Sequence, residues 1–190
     1  HSIDAATKAG VIKRRSVEQV VLDTTVQPKA IAHPTDSRLL NRAREQLVEA
    51  AKDAGIELRQ SYARVGKHAD HKAGRYAHAR QYQRMRREIR KLRTWLGRVI
   101  RDVERKAGAM PESLKAKLEM ARRLHAQRRE DKNKLYALHA PEVKCLAKGK
   151  VRTPYEFGVK VSVAVTAKEG LVVGMRSMPG NPYDGHTVDS

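Results

Sequence analysis

The sequence predicts an α/β protein in which one early strand and a late β-hairpin share a single sheet, with the helical residues 36–140 inserted between them. Three observations predict it. Residues 17–26, VEQVVLDTTV, form a short apolar run rich in β-branched side chains, which favours a strand over a helix. From residue 36 into the 130s the apolar residues recur at helical spacing. Residues 155–165, YEFGVKVSVAV, alternate, and after the tight turn KEG (168–170) a second strand, LVVGMRSM, fills 171–178. A lone strand and a distant two-stranded ribbon are each marginal, so one three-stranded sheet accounts for both. A chain of 190 residues suits one substantial domain carrying an insertion better than two full cores. The expected organisation is therefore 1–35 (a helix and the first strand), 36–140 (the insertion) and 141–190 (the second and third strands, truncated).

In chain order, SIDAATKA at 2–9 reads as a short helix stopped by Gly10. The strand that follows is almost continuously apolar, as expected of a strand covered on both faces, and Pro28 ends its ladder because proline has no N–H to donate. Thr35 or Asp36 caps a helix carrying Leu39, Leu40, Ala43, Leu47 and Ala50 or Ala51 on one side until Gly55. Between Lys72 and Ala107, Met85, Ile89, Leu92, Leu96, Val99 and Val103 alternate at spacings of four and three, a heptad seam. After Gly108 and Pro111 a second helical stretch runs from Glu112 to Leu138, weaker through the polar RREDKNK. These two stretches predict an antiparallel helical hairpin whose long arm spans on the order of 50 Å. PGNPYDG is loop, and His186 would open a further helix.

Charge indicates the partner. Forty Lys and Arg against twenty-one Asp and Glu leave a formal +19, and the isoelectric point lies near 10.4. Such a chain favours a polyanion. With one Phe, one Trp and six Tyr there is little to stack on single-stranded bases, so duplex DNA held by its phosphates is the better expectation. The bases concentrate between Tyr62 and Ala107, where fifteen Arg and Lys face only four acids. Arg80, Arg84, Arg87 and Lys91 fall at i, i+4, i+7 and i+11 and so line one stripe. Arg90, Arg98 and Arg101 carry the basic surface further along the same segment. The alternative is a solvated helix face; the scarcity of compensating acids favours phosphate binding, for which guanidinium forks are suited. Lys148 and Lys150, in KGK, either touch the DNA backbone or flank a strand as solubilising charge.

Asp23 stands alone within its apolar strand. A buried carboxylate must be hydrogen-bonded, paired or metal-bound. Metal binding, a local bond to backbone N–H groups near the strand end, and pairing with an arginine all remain open on the residues alone. A carboxylate on a central strand, a basic chain and a sheet containing a hairpin together resemble a ribonuclease H-like arrangement, of which the residues themselves support only the carboxylate on a strand. Four ordered blocks then carry a more specific resemblance: residues 20–40, VVLDTTVQPKAIAHPTDSRLL; 75–102, RYAHARQYQRMRREIRKLRTWLGRVIRD; 138–164, LHAPEVKCLAKGKVRTPYEFGVKVSVA; and 180–187, GNPYDGHT. Together they resemble bacterial insertion-sequence transposases of the insertion-sequence-five type, members of the DDE superfamily.

The resemblance implies metal-dependent cleavage and joining of DNA. Two Mg²⁺ (or Mn²⁺) ions, held by Asp, Asp and Glu, would activate the attacking hydroxyl and stabilise the leaving oxygen. Asp23 matches the first acid, as catalytic residue and metal ligand. The second Asp and the Glu lie beyond the helix that His186 would open, so the stretch alone is expected to be inactive. Asp184 and Asp189 read better as turn or cap residues than as the second acid. The partners implied are transposon ends and target DNA, with a homodimeric full-length parent compatible. A non-enzymatic basic helical module that holds nucleic acid by charge is the rival expectation.

The remaining candidates are weaker. His68, His71 and His78 lack the cysteines or paired carboxylates of a zinc site. Trp95 is expected to pack rather than to stack on bases. Cys145, the single cysteine, allows no internal disulfide and reads as a small packed side chain, suited to a reducing cytosol; the resemblance implies a bacterial cytoplasmic protein associated with the nucleoid. No run approaches a membrane span, no secretory signal pattern is present, and an opening at His1 rather than Met makes an upstream segment an expectation.

Overall fold

A computed structural model describes residues 2–11, 13–106, 108–147 and 154–182. The chain is mixed α/β and divides into two compact units: a sheet unit built from residues 1–30 and 142–190, and a helical unit built from 31–141.

The sheet unit opens with helix α1 (Ser2–Lys8) and a 3₁₀ turn at Arg14–Val17. Its strands are β1 (Val20–Pro28), β2 (Lys144–Ala147), β3 (Tyr155–Thr166) and β4 (Val172–Met178). All pairings are antiparallel, and β3 is the hub. Strand β1 runs along one side of β3 from Val20↔Thr166 to Pro28↔Gly158. On the other side β4 pairs with residues 160–165 of β3 and β2 with residues 155–158. The expected hairpin forms: Thr166 and Leu171 close it, and Gly170 takes the positive φ that its turn requires. The four-residue β2 carries no pattern long enough to be read from sequence.

The first strand departs from expectation in its surroundings. Residues 14–17 turn rather than extend, and β1 starts at Val20. It lies at an edge of the described sheet, not at the centre and not covered on both faces. Val20, Val21 and Leu22 are exposed, and of the strand only Val26 is buried. The apolar run reflects strand propensity, which is satisfied by pairing along β3 alone. Proline does close the strand, but Lys29 N–H still reaches Phe157 O at 3.3 Å.

The helical unit contains α2 (Asp36–Asp53), α3 (Ala63–His78), α4 (Tyr82–Lys106) and α5 (Glu112–Ala126). It is therefore a four-helix assembly rather than a two-armed hairpin. Helix α2 packs against both α4 and α5, and α3 lies along α4. Thr35 caps α2 by accepting a bond from Arg38 N–H at 3.3 Å. The seam expected on α4 closes the core: Leu92, Leu96, Val99 and Val103 are buried with Leu40, Leu47, Leu114 and Leu118, while Met85 and Ile89 are half-covered.

Two helix boundaries correct the sequence reading. The arm expected from Lys72 to Ala107 is broken at Ala79–Gln81. Gln81 N–H bonds Tyr76 O and Arg80 N–H bonds Ala77 O, with Arg80 at φ 55°. That pair of bonds is a Schellman cap, whose left-handed position usually holds glycine. The α4 arm is then 25 residues long, roughly 37 Å rather than 50 Å.

The second arm ends at Ala126 instead of Leu138. The Arg93 guanidinium accounts for the stop by donating to the carbonyls of His125 (2.6 Å) and Gln127 (2.8 Å). Gln127 Oε1 accepts from Leu135 N–H at 2.6 Å, closing the polar loop so that Leu135 and Leu138 still reach the core without helix.

Candidate functional site

Within the sheet unit, Asp23 sits on β1 opposite Val163 of β3, which in turn faces Met175 of β4. The carboxylate is exposed and makes no hydrogen bond or ion pair among the described residues. The burial argument for it thus falls away, and no described residue supplies the backbone bond or the arginine partner that were its local alternatives. Asp23 borders a cleft of about 200 Å³ together with Thr25, Leu146, Lys160 and Asn181. Lys160 Nζ donates to Pro182 O at 2.6 Å. One carboxylate, one carboxamide and an ammonium do not fit a pair of divalent ions. Among the described residues no three His, Cys, Asp or Glu side chains converge. Asp184, Asp189, His186, Lys148 and Lys150 lie outside the described residues.

Within the helical unit the basic candidates separate by element. Arg84, Arg87, Arg90, Lys91, Arg98 and Arg101 all lie on α4 and all are exposed. Arg80 does not join them, because it occupies the left-handed position between α3 and α4. The stripe instead continues toward the C-terminus of α4: Arg84, Arg87, Lys91, Thr94, Arg98, Arg101 and Arg105 follow at alternating spacings of three and four. That places them on one helix face, away from the buried seam, over roughly 31 Å.

The charges on that face are unequal in effect. Lys91 is paired with Glu88 at 2.8 Å, and Arg105 with Asp102 at 2.8 Å. Arg84 bonds Gln81 and lies over the Tyr76 ring. Arg87, Arg90 and Arg101 have no carboxylate partner among the described residues, and Arg98 touches only Tyr62 Oη, at 3.4 Å.

The C-terminal half of this face forms one wall of a cleft of about 860 Å³. Arg98, Arg101 and Arg105 stand on that wall; Arg59, Gln60 and Tyr62, from the α2–α3 connection, form the other. Asp102 fixes the connection by accepting Arg59 N–H at 2.6 Å. That bond, above all, holds the Asp102 carboxyl below its ordinary range; burial works against it, and Lys106 and Arg105 assist. Glu104, on the same rim, is engaged by Arg122 at 2.7 Å. Sequence reasoning did not find Arg59, because nothing in its neighbourhood is periodic and only the tertiary bond to Asp102 brings it here.

A second, shallower cleft lies along α4 between Arg87, Arg90, Lys91 and Trp95. Trp95 stacks on Tyr62, with centroids 5.8 Å apart and an interplanar angle of 11°, and both rings pack against the core. Packing is thus the observed state of Trp95. His68, His71 and His78 are exposed along α3, and Cys145 is half-buried on β2.

Over 81 residues the chain is 59% identical to an uncharacterized protein, ORF8 in the nfe locus of Rhizobium meliloti. The match covers 43% of this chain and 39% of that protein, so the chain spans well under half of the relative it matches. No protein-family model matches the chain. No solved structure matches it. No described helix is long and apolar enough to cross a membrane.

Proposed function

We propose that this chain is part of a DDE transposase of the insertion-sequence-five type, with a ribonuclease H-like sheet and a helical unit that grips duplex DNA. The observation that carries the reading is the antiparallel run β1–β3–β4 with an exposed carboxylate on its first strand, Asp23, that has no partner among the described residues. The helical unit enters the chain directly after that strand. The outer side of β1 is unpaired among the described residues, and a further strand fits there. Asp23 would then lie in a central strand, where a second carboxylate could approach it. Mg²⁺, when bound, would supply Lewis-acid activation of the attacking oxygen. Asp23 alone does not make that site.

The test extends the reading frame past the Ser190 codon. The expected result is a helix, an apolar strand ending in Asp, and later a Glu on a helix; a frame without them overturns the reading. In the longer product, Asp23→Asn should abolish strand cleavage at the element's ends while leaving duplex binding within about twofold. Normal cleavage by that variant would remove Asp23 from the chemistry.

A second reading, a non-enzymatic nucleic-acid-binding module, is favoured by a different observation: exposed arginines of α4 that have no carboxylate partner among the described residues. It predicts steeply salt-dependent duplex binding by the 190-residue chain whether or not any cleavage activity exists.

A further inference from the structure

We propose that the cleft between residues 59–62 and the C-terminal half of α4 seats a phosphodiester of duplex DNA, with Arg59, Arg98 and Arg101 as its donors. The inference rests on the nucleic-acid reading above and gives it a location. The two carboxylates at the cleft are already engaged, Asp102 by Arg59 N–H, Arg105 and Lys106, and Glu104 by Arg122. The guanidinium groups of Arg59 and Arg101 have no carboxylate partner among the described residues, and Arg98 meets only a phenol. These three exposed cations come from two walls of one cleft, and the bond between Asp102 and the Arg59 backbone preorganises the walls.

Two features select a polymer of phosphates over a single anion. The chain carries a net +19, far more than one small anion needs. Arg87 and Arg90, on the same helix and eleven residues before Arg98 and Arg101, also have no carboxylate partner among the described residues. Eleven residues of α-helix are about 16 Å, roughly half a turn of duplex, so a single duplex can meet both groups. Guanidinium forks bind phosphate oxygens in pairs, positioning the duplex without reading its bases.

The probe is a labelled DNA duplex of about thirty base pairs, titrated with the 190-residue chain by fluorescence anisotropy across about 50–200 mM salt. Arg59→Gln should lower the slope of log affinity against log salt by about 1, and Arg98→Gln with Arg101→Gln by about 2. Lys115→Gln with Lys117→Gln, which removes the same charge from α5, should leave the slope unchanged, and far-UV circular dichroism should be native for all variants. No salt-dependent duplex binding by the unaltered chain would overturn the nucleic-acid reading and the cleft with it. Binding that survives the cleft substitutions intact would overturn the cleft alone. An α5 pair as damaging as the α4 pair would reduce the effect to net charge. Tighter binding to an RNA duplex of equal length would replace DNA as the occupant.

Discussion

Asp102 is the side chain on which the helical unit's geometry depends most directly, because it is buried and its oxygens hold a loop backbone and two cations at once. Its carboxyl lies below the ordinary range in the folded chain, chiefly through Arg59 N–H. A depressed carboxyl contributes stability above its unfolded pKa, about 3.9, and loses it as pH falls through the folded value. Asp102→Asn should therefore cost about 1–3 kcal/mol at neutral pH and flatten the acid limb of stability against pH. Urea titrations between about pH 2 and 7 would show it; parallel acid limbs for the two proteins would refute the role. Arg44 is the opposite case, a fully buried arginine whose guanidinium reaches Asn41 Oδ1, Ser61 O and Glu45, and which burial pushes down from its usual pKa. Neither residue's role was legible in the sequence. Both stand among other charged residues on helices whose sequence marks neither as buried, and their burial comes from elements packed over them. Asp23 was legible as an oddity, but the reason given for it, burial, was not, since the strand turned out to lie at an edge.

At the scale of elements, helix stops were legible where glycine marks them and hidden where it does not. Helix α2 ends in a Schellman cap at Gly55, with Ile56 N–H on Ala51 O. Helix α3 ends in the same cap, with an arginine at the left-handed position, so the apolar period ran on through the break unmarked. A left-handed arginine is strained by roughly 1–2 kcal/mol. Arg80→Gly should therefore stabilise the chain, by up to about 1 kcal/mol. In one continuous helix from residue 72 to 107 the same change would cost about 1 kcal/mol, so the sign of the shift in melting temperature decides between the two. The sheet offers a sharper case. A Cβ on Gly158 would collide with the Gln27 carbonyl oxygen where β1 and β3 meet, and backbone cannot swing aside as a side chain can. Gly158→Ala should loosen the end of β1 and cost about 2–4 kcal/mol in the sheet unit, with protection of the Lys29 amide, which bonds Phe157 O, lost in hydrogen exchange. Unchanged protection would mean that the strands are not paired in this register.

For the whole molecule, charge and apolar burial are distributed unevenly, and that has a consequence for stability. The helical unit carries a contiguous buried cluster from Leu39 to Leu138, drawn from all four helices and the loop after α5. Among the described residues the sheet unit buries far less, and it leaves Val20, Val21, Leu22, Val172 and Met175 exposed. Net burial of apolar surface is the main stabilising term, at roughly 25 cal/mol per Å², so the two units should differ in stability even though one chain links them. Heating should give two transitions. The strand signal should melt first, in infrared amide bands, and the helical signal at 222 nm later, while limited proteolysis leaves a core close to residues 31–141. Because β1 presents apolar side chains and an edge unpaired among the described residues, the early transition should be accompanied by binding of a hydrophobic dye. A strand paired to that edge would merge the two transitions by covering the same residues. A single transition in the 190-residue chain would instead mean that the sheet draws its stability from the helical unit, and that its exposed edge is not a weak point.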